Sequence, residues 1–184
     1  MSPHSTETRI TETLQQAYAT ARRHAGAGDC IVVLHMGAQH SGIALGLGPE
    51  PDLVKLLPLG AVRTAQEQFR TTPPTPLALE NAIQVVEDVV MPLRAVIPRA
   101  ALLFCTDAAV REIALLAGVV PAETVQLSLE TMERLFNRLI AVVEGSPAAH
   151  QGLPETNSFA ATLLILREFM HHLQFAHIVV LHAQ

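Results

Sequence analysis

Two apolar segments separated by a short glycine-bounded loop constrain the fold of this chain more than any other feature. Within Asp29–Gly48, the apolar runs Cys30–Met36 and Ile43–Leu47 flank the polar loop Gly37–Gly42. Runs of this length and composition are typical of strands, and the short loop predicts a β-hairpin. Because both strands are apolar at nearly every position, we expect other elements to cover the hairpin on both faces.

The rest of the chain alternates helix-like and strand-like segments. Further strands are expected at Leu53–Leu59, Ala100–Cys105 and His177–His182. Three- and four-residue apolar spacing predicts the helices between them. These helices are expected at Glu7–Ala25, Ala61–Phe69, from Pro76, from Thr106 to Ala117, from Ser128, and at Ser158–Leu173.

The alternation predicts an α/β fold with a mixed sheet of about five strands that opens with the β-hairpin. Helices are expected on both faces of this sheet, within a single domain over residues 1–184. The polar residues 1–6 are expected to be loose, and residues 146–157 are expected to form one long loop.

The order strand-strand-strand-helix-strand-helix-strand is similar to that of ribonuclease-H-like and actin-like ATPase cores. Those families carry an acidic residue in the first strand for metal or phosphate chemistry. The corresponding strand here, Ile31–Met36, contains no carboxylate. The resemblance therefore concerns element order, and no activity or family is inferred from it.

Composition excludes several classes of function. The chain has 184 residues, a formal charge of −5, no Trp and 4% aromatic residues, which argues against nucleic-acid binding. The longest apolar runs are too short to span a membrane, and the N-terminus has no signal-peptide pattern. Cys30 and Cys105 lie in apolar runs without CxxC spacing, so we expect buried, unpaired thiols and a cytoplasmic location.

One group of polar residues is expected to bind a ligand at the strand ends. Thr106 and Asp107 follow a well-defined strand and open a helix, a position where α/β proteins bind ligands. Asp107 is expected to hold Mg²⁺ or a hydroxyl group there, or else to act as a simple N-cap. His35, His40 and Ser41, from the hairpin, complete this candidate ligand-binding set.

A second group has residue types that bind metals. Glu168 and His171 have the E-x-x-H spacing of helical carboxylate-histidine sites, and His172 and His177 lie close in sequence. Imidazole is a common ligand of transition metals, so these four residues are a candidate site for a divalent metal. Histidines in the last turn of a helix also have a simpler explanation, because they complement the helix dipole.

Other motifs carry little functional signal. The glycines of Gly37–Gly48 match neither GxxxxGK[ST] nor GxGxxG, and no helix follows them to bind phosphate. A solvated helix face explains the acidic residues between Glu80 and Asp88, and no GxSxG elbow is present.

Two functions follow from these patterns. The first is a small binding or assembly module without catalytic activity that self-associates and holds a small-molecule ligand. It is favoured by the lack of a catalytic motif and by residues 159–166, which are apolar on nearly every side. The alternative is a metal-assisted hydrolase that uses a cluster of histidines and Asp107 at the strand ends.

Overall fold

The computed structural model describes residues 3–182, and their side chains from residue 7 onward. The helices are α1 (Pro3–Arg22), α2 (Ala61–Gln68), α3 (Pro76–Val90), α4 (Ala108–Leu116), α5 (Leu129–Val143), α6 (Ala148–Gln151) and α7 (Asn157–His172). The strands are β1 (Ile31–Met36), β2 (Ser41–Gly46), β3 (Leu53–Leu57), β4 (Leu102–Cys105), β5 (Val125–Ser128) and β6 (His177–Val180). A 3-10 turn, Met91–Ala95, follows α3.

The strands form one mixed sheet in the order β3-β2-β1-β4-β6-β5. Strands β1, β2 and β3 make an antiparallel meander, and β4 and β6 then add in parallel. The predicted α/β class, mixed sheet and opening hairpin are thereby confirmed. The sheet has one strand more than the five expected. This additional strand, β5, pairs antiparallel with β6 at the edge of the sheet opposite β3. It was missed because a four-residue segment directly before a helix is too short to show a clear alternation.

The element boundaries follow local signals in the sequence. Thr75 caps α3, and its hydroxyl accepts a hydrogen bond from the backbone of Ala78 at 3.2 Å. β3 lies at the sheet edge and ends at Leu57, before a proline that has no backbone N–H to donate.

The chain departs from the expected boundaries in two places. The first helix begins at Pro3, so most of the segment expected to be loose is helical, and residues 1 and 2 lie outside the described residues. The segment expected as one long loop, residues 146–157, contains the short helix α6.

The sheet separates two hydrophobic clusters, which confirms that helices cover both faces. In β1, Val32, Leu34 and Met36 pack into the larger cluster together with residues of α2, α3, α4, α5 and α7. Ile31 and Val33 point to the opposite face, where α1 covers them. The two-residue period of a strand therefore places His35 on the α1 side of the sheet.

Helix α7 is apolar on nearly every side, and other helices surround it in the fold. Residues 160–166 are buried, and α7 contacts α2, α3, α4 and α5. Its apolar surface is thus covered within one chain, and self-association stays a prediction with no support from this helix. Among residues 3–182, no helix is both long enough and apolar enough to cross a membrane.

Shortening Leu14 should test how α1 is held on the sheet. Leu14 is fully buried, and a Cβ atom at Gly42 would come within 2.7 Å of its Cδ1. We expect Leu14→Ala to lower the free energy of unfolding by about 2–5 kcal/mol in urea titrations, because it leaves a cavity above β2. Leu77, which is 66% exposed, is the matched control, and Leu77→Ala should change stability by less than about 0.5 kcal/mol. Equal effects of the two changes would contradict this packing.

Candidate functional site

The carboxyl ends of β1 and β4 bring together two polar residues that lie 72 positions apart in sequence. The parallel register pairs Leu34 with Cys105, so His35 and Asp107 emerge beside each other from neighbouring strands. His35 Nδ1 lies 2.6 Å from Asp107 Oδ1, and both side chains are largely shielded from solvent. The sequence-predicted residues His35 and Asp107 therefore form a hydrogen-bonded pair.

Asp107 occupies the N-cap position of α4, but its carboxylate does not cap the helix. Its Oδ2 accepts a hydrogen bond from the backbone N–H of Met36 at 2.7 Å and one from the Cys105 thiol at 3.3 Å. With Oδ1 on His35, both carboxylate oxygens are engaged by protein groups. In this arrangement Asp107 can act through His35, and its expected role as a direct ligand of Mg²⁺ stays a prediction.

The Asp107 carboxylate raises the pKa of both neighbouring side chains, His35 and Cys105. Its hydrogen bond raises the pKa of His35 above the usual value, and this effect exceeds the opposing effect of burial. Burial raises the pKa of the Cys105 thiol well above its ordinary value, and the nearby charge of Asp107 raises it further. Cys105 is thus a protonated hydrogen-bond donor rather than a nucleophile.

A cavity of about 420 Å³ opens beside His35, between the first half of α1 and the hairpin loop. Its wall includes Arg9, Thr13 and His40 as well as Gly37 and its neighbours in the loop. The size falls within the range of small-molecule sites. Arg9 was missed by sequence analysis because it lies on the polar face of α1, and only the packing of α1 on the sheet brings it near His35.

The loop between β1 and β2 is fixed against the start of α2. The carbonyl of Ala38 accepts hydrogen bonds from the backbone of Val62 at 2.9 Å and of Arg63 at 3.0 Å. Gly37 donates its N–H to the carbonyl of His40 at 3.1 Å, which closes the loop. The cavity wall is therefore held in place by backbone hydrogen bonds.

Of the other two hairpin residues in the candidate set, His40 lies at this cavity, whereas Ser41 pairs with Met36 and so faces the opposite side of the sheet. His40 lines it, and its Nδ1 is buried without a hydrogen-bond partner within the described residues. Ser41 is fully buried at the start of β2, opposite Met36, and its hydroxyl is likewise unpartnered there. Thr106 is half-buried and links β4 to Asp107. The unsatisfied Nδ1 of His40 beside the cavity is therefore a candidate contact for a ligand.

The second candidate set is divided by the structure. Glu168 Oε2 lies 3.0 Å from His172 Nε2, whereas His171 turns away and places its Nδ1 3.1 Å from Glu133 Oε1. His177 begins β6, paired with Ser128 of β5. The E-x-x-H spacing therefore does not describe the cluster that forms, because the i,i+4 residue and not the i,i+3 residue faces Glu168.

Solved structures of Ppx/GppA-type enzymes share this fold. A PPX-GPPA enzyme of Aquifex aeolicus has a TM-score of 0.75 at 16% identity, over 94% of this chain and 60% of that chain. An exopolyphosphatase from Cytophaga hutchinsonii has a TM-score of 0.71 at 15% identity, over 91% and 58%. The chain thus spans about 60% of the length of these neighbours. No family model and no curated protein matches the sequence.

These comparisons contradict the interpretation of the chain as a binding or assembly module without catalytic activity. The proteins with this fold include a Ppx/GppA phosphatase and an exopolyphosphatase, which are enzymes. At such low identity the likeness shows the fold, while activity depends on the residues of the site. The hydrolase alternative is the better supported of the two functions.

Replacing Asp107 by Asn should lower the pKa of His35, because the carboxylate that stabilises the imidazolium is lost. The imidazole pKa can be followed by NMR over pH 5–9. Glu112→Gln is the matched control, since Glu112 is an exposed carboxylate on the same helix, and it should leave the pKa of His35 unchanged. An unchanged pKa in Asp107→Asn would contradict the pairing.

The same pair should make stability depend on pH. The pKa of His35 is raised in the folded state. The pair's contribution to the free energy of unfolding is therefore fully present below the unfolded-state pKa of about 6.5, and it is lost as the pH rises through the folded-state pKa. The difference in unfolding free energy between the wild type and Asp107→Asn should therefore be larger at pH 5.5 than at pH 9.

Adding a methyl group at Gly37 should disturb the cavity wall. A Cβ atom there would lie 2.5 Å from the carbonyl oxygen of His40 and 3.6 Å from His35 Nε2. We expect Gly37→Ala to cost about 1–3 kcal/mol of stability in denaturant titrations and to shift the NMR signals of His35 and His40. At Gly48, the nearest atom to such a Cβ is 3.8 Å away. Gly48→Ala should thus be nearly neutral, and a neutral Gly37→Ala would refute the tight loop.

Proposed function

We propose that this protein hydrolyses a phosphoanhydride bond, with His35 as the general base and Asp107 as the residue that positions it. The observation that carries the proposal is the 2.6 Å contact between His35 Nδ1 and Asp107 Oδ1 beside an open cavity. The placement supports it, because α/β proteins bind ligands beyond the carboxyl ends of their parallel strands.

The pair has the arrangement that base catalysis needs. When Nδ1–H donates to Asp107, the other ring nitrogen, Nε2, carries the lone pair and can accept a proton. A water molecule bonded to Nε2 can then attack phosphorus. An O–P bond forms, the bridging P–O bond breaks and its electron pair leaves with the departing phosphate, while His35 takes the proton of the water. The imidazolium is stabilised by Asp107 until the proton passes to the leaving group or to solvent.

The cavity supplies groups that suit an anionic substrate. The guanidinium of Arg9 matches the geometry of phosphate oxygens. The buried Nδ1 of His40, which has no partner within the described residues, can bond a phosphate oxygen when it carries a proton. The fold shared with an exopolyphosphatase and a Ppx/GppA phosphatase supports a phosphate chain as the substrate class.

This proposal replaces the metal in the hydrolase alternative with a base at the strand ends. Asp107 accepts hydrogen bonds from His35, Met36 and Cys105, which fix its carboxylate as the partner of the base. A water molecule activated by His35 supplies the nucleophile without a metal ligand from β4.

The partners and location expected from the sequence remain proposals. Cys30 and Cys105 are free thiols, which is consistent with a reducing compartment such as the cytoplasm. The net charge of −5 still argues against nucleic-acid binding. Self-association is a prediction that the fold neither requires nor opposes.

Replacing His35 by Asn should abolish most of the activity, because the base is lost while the polarity of the site is kept. With polyphosphate as substrate, we expect kcat for phosphate release to fall by about 10²–10⁴-fold. His24→Asn is the control, since His24 is exposed near the end of α1 and distant in sequence from the loop, and it should retain wild-type activity. Release of phosphate at equal rates by the two variants, or none by the wild type, would refute the proposal.

The pH profile provides a second readout of the same experiment. The kcat/KM of the wild type should rise with pH as His35 loses its proton, at a pH above about 6.5 because Asp107 raises the pKa. In Asp107→Asn this rise should move to lower pH and reach a lower plateau.

A further inference from the structure

We propose that Glu87, Glu168 and His172 form a binding site for one Zn²⁺ ion, separate from the His35 site. One oxygen of each carboxylate and one ring nitrogen of the imidazole lie within 4.8 Å of one another. Glu168 and His172 come from consecutive turns of α7, and Glu87 comes from the facing helix α3.

The hydrogen bonds of this cluster are incomplete in a way that points to a cation. His172 Nε2 lies 2.9 Å from Glu87 Oε1 and 3.0 Å from Glu168 Oε2. A single ring N–H cannot be directed at both carboxylates, and it is Glu168 Oε2 that has no hydrogen-bond partner. Glu168 is fully buried, so this oxygen has no access to solvent either. A buried and unsatisfied carboxylate oxygen that faces an imidazole is the polar group that a bound ion would satisfy.

The donor set suits a transition metal. Imidazole nitrogen and carboxylate oxygen bind Zn²⁺ at about 2.0–2.2 Å, and three protein ligands leave a fourth position for water. Ligand atoms around a tetrahedral ion at these distances lie about 3.4 Å apart. The two distances of 2.9 and 3.0 Å therefore need to widen by only a few tenths of an ångström. A nitrogen ligand also disfavours Mg²⁺ and Ca²⁺, which prefer oxygen.

Neighbouring arginines orient the ligands Glu168 and His172. Arg167 Nη1 lies 2.6 Å from the other oxygen of Glu168, which leaves Oε2 toward the cluster. Arg94 Nε donates to the backbone carbonyl of His172 at 2.6 Å and fixes the end of α7. Partners that hold a ligand in place from behind are typical of metal sites. The ion would place two positive charges against the two carboxylates, Glu87 and Glu168.

This ligand set differs from the sequence-based one. Glu87 lies 81 positions before Glu168 and was assigned to a solvated face, whereas His171 and His177 do not join the cluster. The site is also remote from His35 in the fold. His172 ends α7, which leads into the amino end of β6, while His35 lies at the carboxyl end of β1. Because β1, β4 and β6 run parallel, the two histidines lie at opposite ends of the strands.

Isothermal titration of the full chain with Zn²⁺ tests the proposal. We expect one ion to bind per chain and to raise the melting temperature, because binding to the native state stabilises it. Glu87→Gln and His172→Gln should each weaken binding by at least about 100-fold, given that even loss of an outer partner costs 10–100-fold. These variants are preferred to Glu168→Gln, which would also remove the partner of Arg167 and could unfold the chain.

Matched controls separate this site from adventitious binding to surface histidines. Glu80 is exposed on the same helix as Glu87, and His171 is exposed beside His172. Glu80→Gln and His171→Gln should bind Zn²⁺ as the wild type does. If Zn²⁺ does not bind saturably, if His172→Gln binds normally, or if His171→Gln weakens binding equally, the proposal is wrong. None of these outcomes depends on phosphate release, so the two proposals can fail separately.

Discussion

The parallel pairing of β1 with β4 is the constraint on which the rest of the site depends. It joins segments about 70 residues apart and aligns their carboxyl ends, so that the side chains of His35 and Asp107 come into contact. A shift of one residue in this register would turn His35 to the face covered by α2, α3 and α7. The apolar alternation of β1 prevents this shift, because Val32 and Leu34 must remain in the larger core. Burial of the sheet thus fixes the geometry of the pair.

The orientation of Asp107 shows which of two interactions is stronger. A carboxylate at the N-cap of a helix gains about 1 kcal/mol from capping. A hydrogen bond to a charged group contributes about 1.5–3 kcal/mol, and Asp107 makes such contacts with His35 and with the backbone of Met36. The carboxylate accordingly leaves α4 without a side-chain cap and joins the ends of β1 and β4 instead. Asp107 therefore does not cap α4, because its hydrogen bonds to His35 and Met36 contribute more than a helix cap would.

Helix α7 combines an apolar surface with one buried acid, and both properties come from its central position. Neighbouring helices cover it on most sides, which explains why residues 159–166 show no polar face. The same enclosure makes the charge of Glu168 costly unless it is paired. Arg167 supplies the pairing on one oxygen, while His172 and Glu87 lie near the other. Low sequence identity to proteins of the same fold is compatible with such a core, because many combinations of hydrophobic residues can fill it.

The sequence alone determined most of the elements, whereas β5, α6 and the choice of which residues meet were decided by the tertiary structure. Apolar periodicity located the hairpin, and Pro76 marked the start of α3, since both features depend on interactions between residues near in sequence. Asp107 and His35 could each be picked out as candidates, but their contact required the register of two distant strands. Arg9 and Glu87 gave no signal, because an exposed-looking residue on an amphipathic helix becomes part of a site through the packing of that helix. His172 rather than His171 faces Glu168 because the partner helix α3 selects one side of α7, and no local spacing encodes that choice.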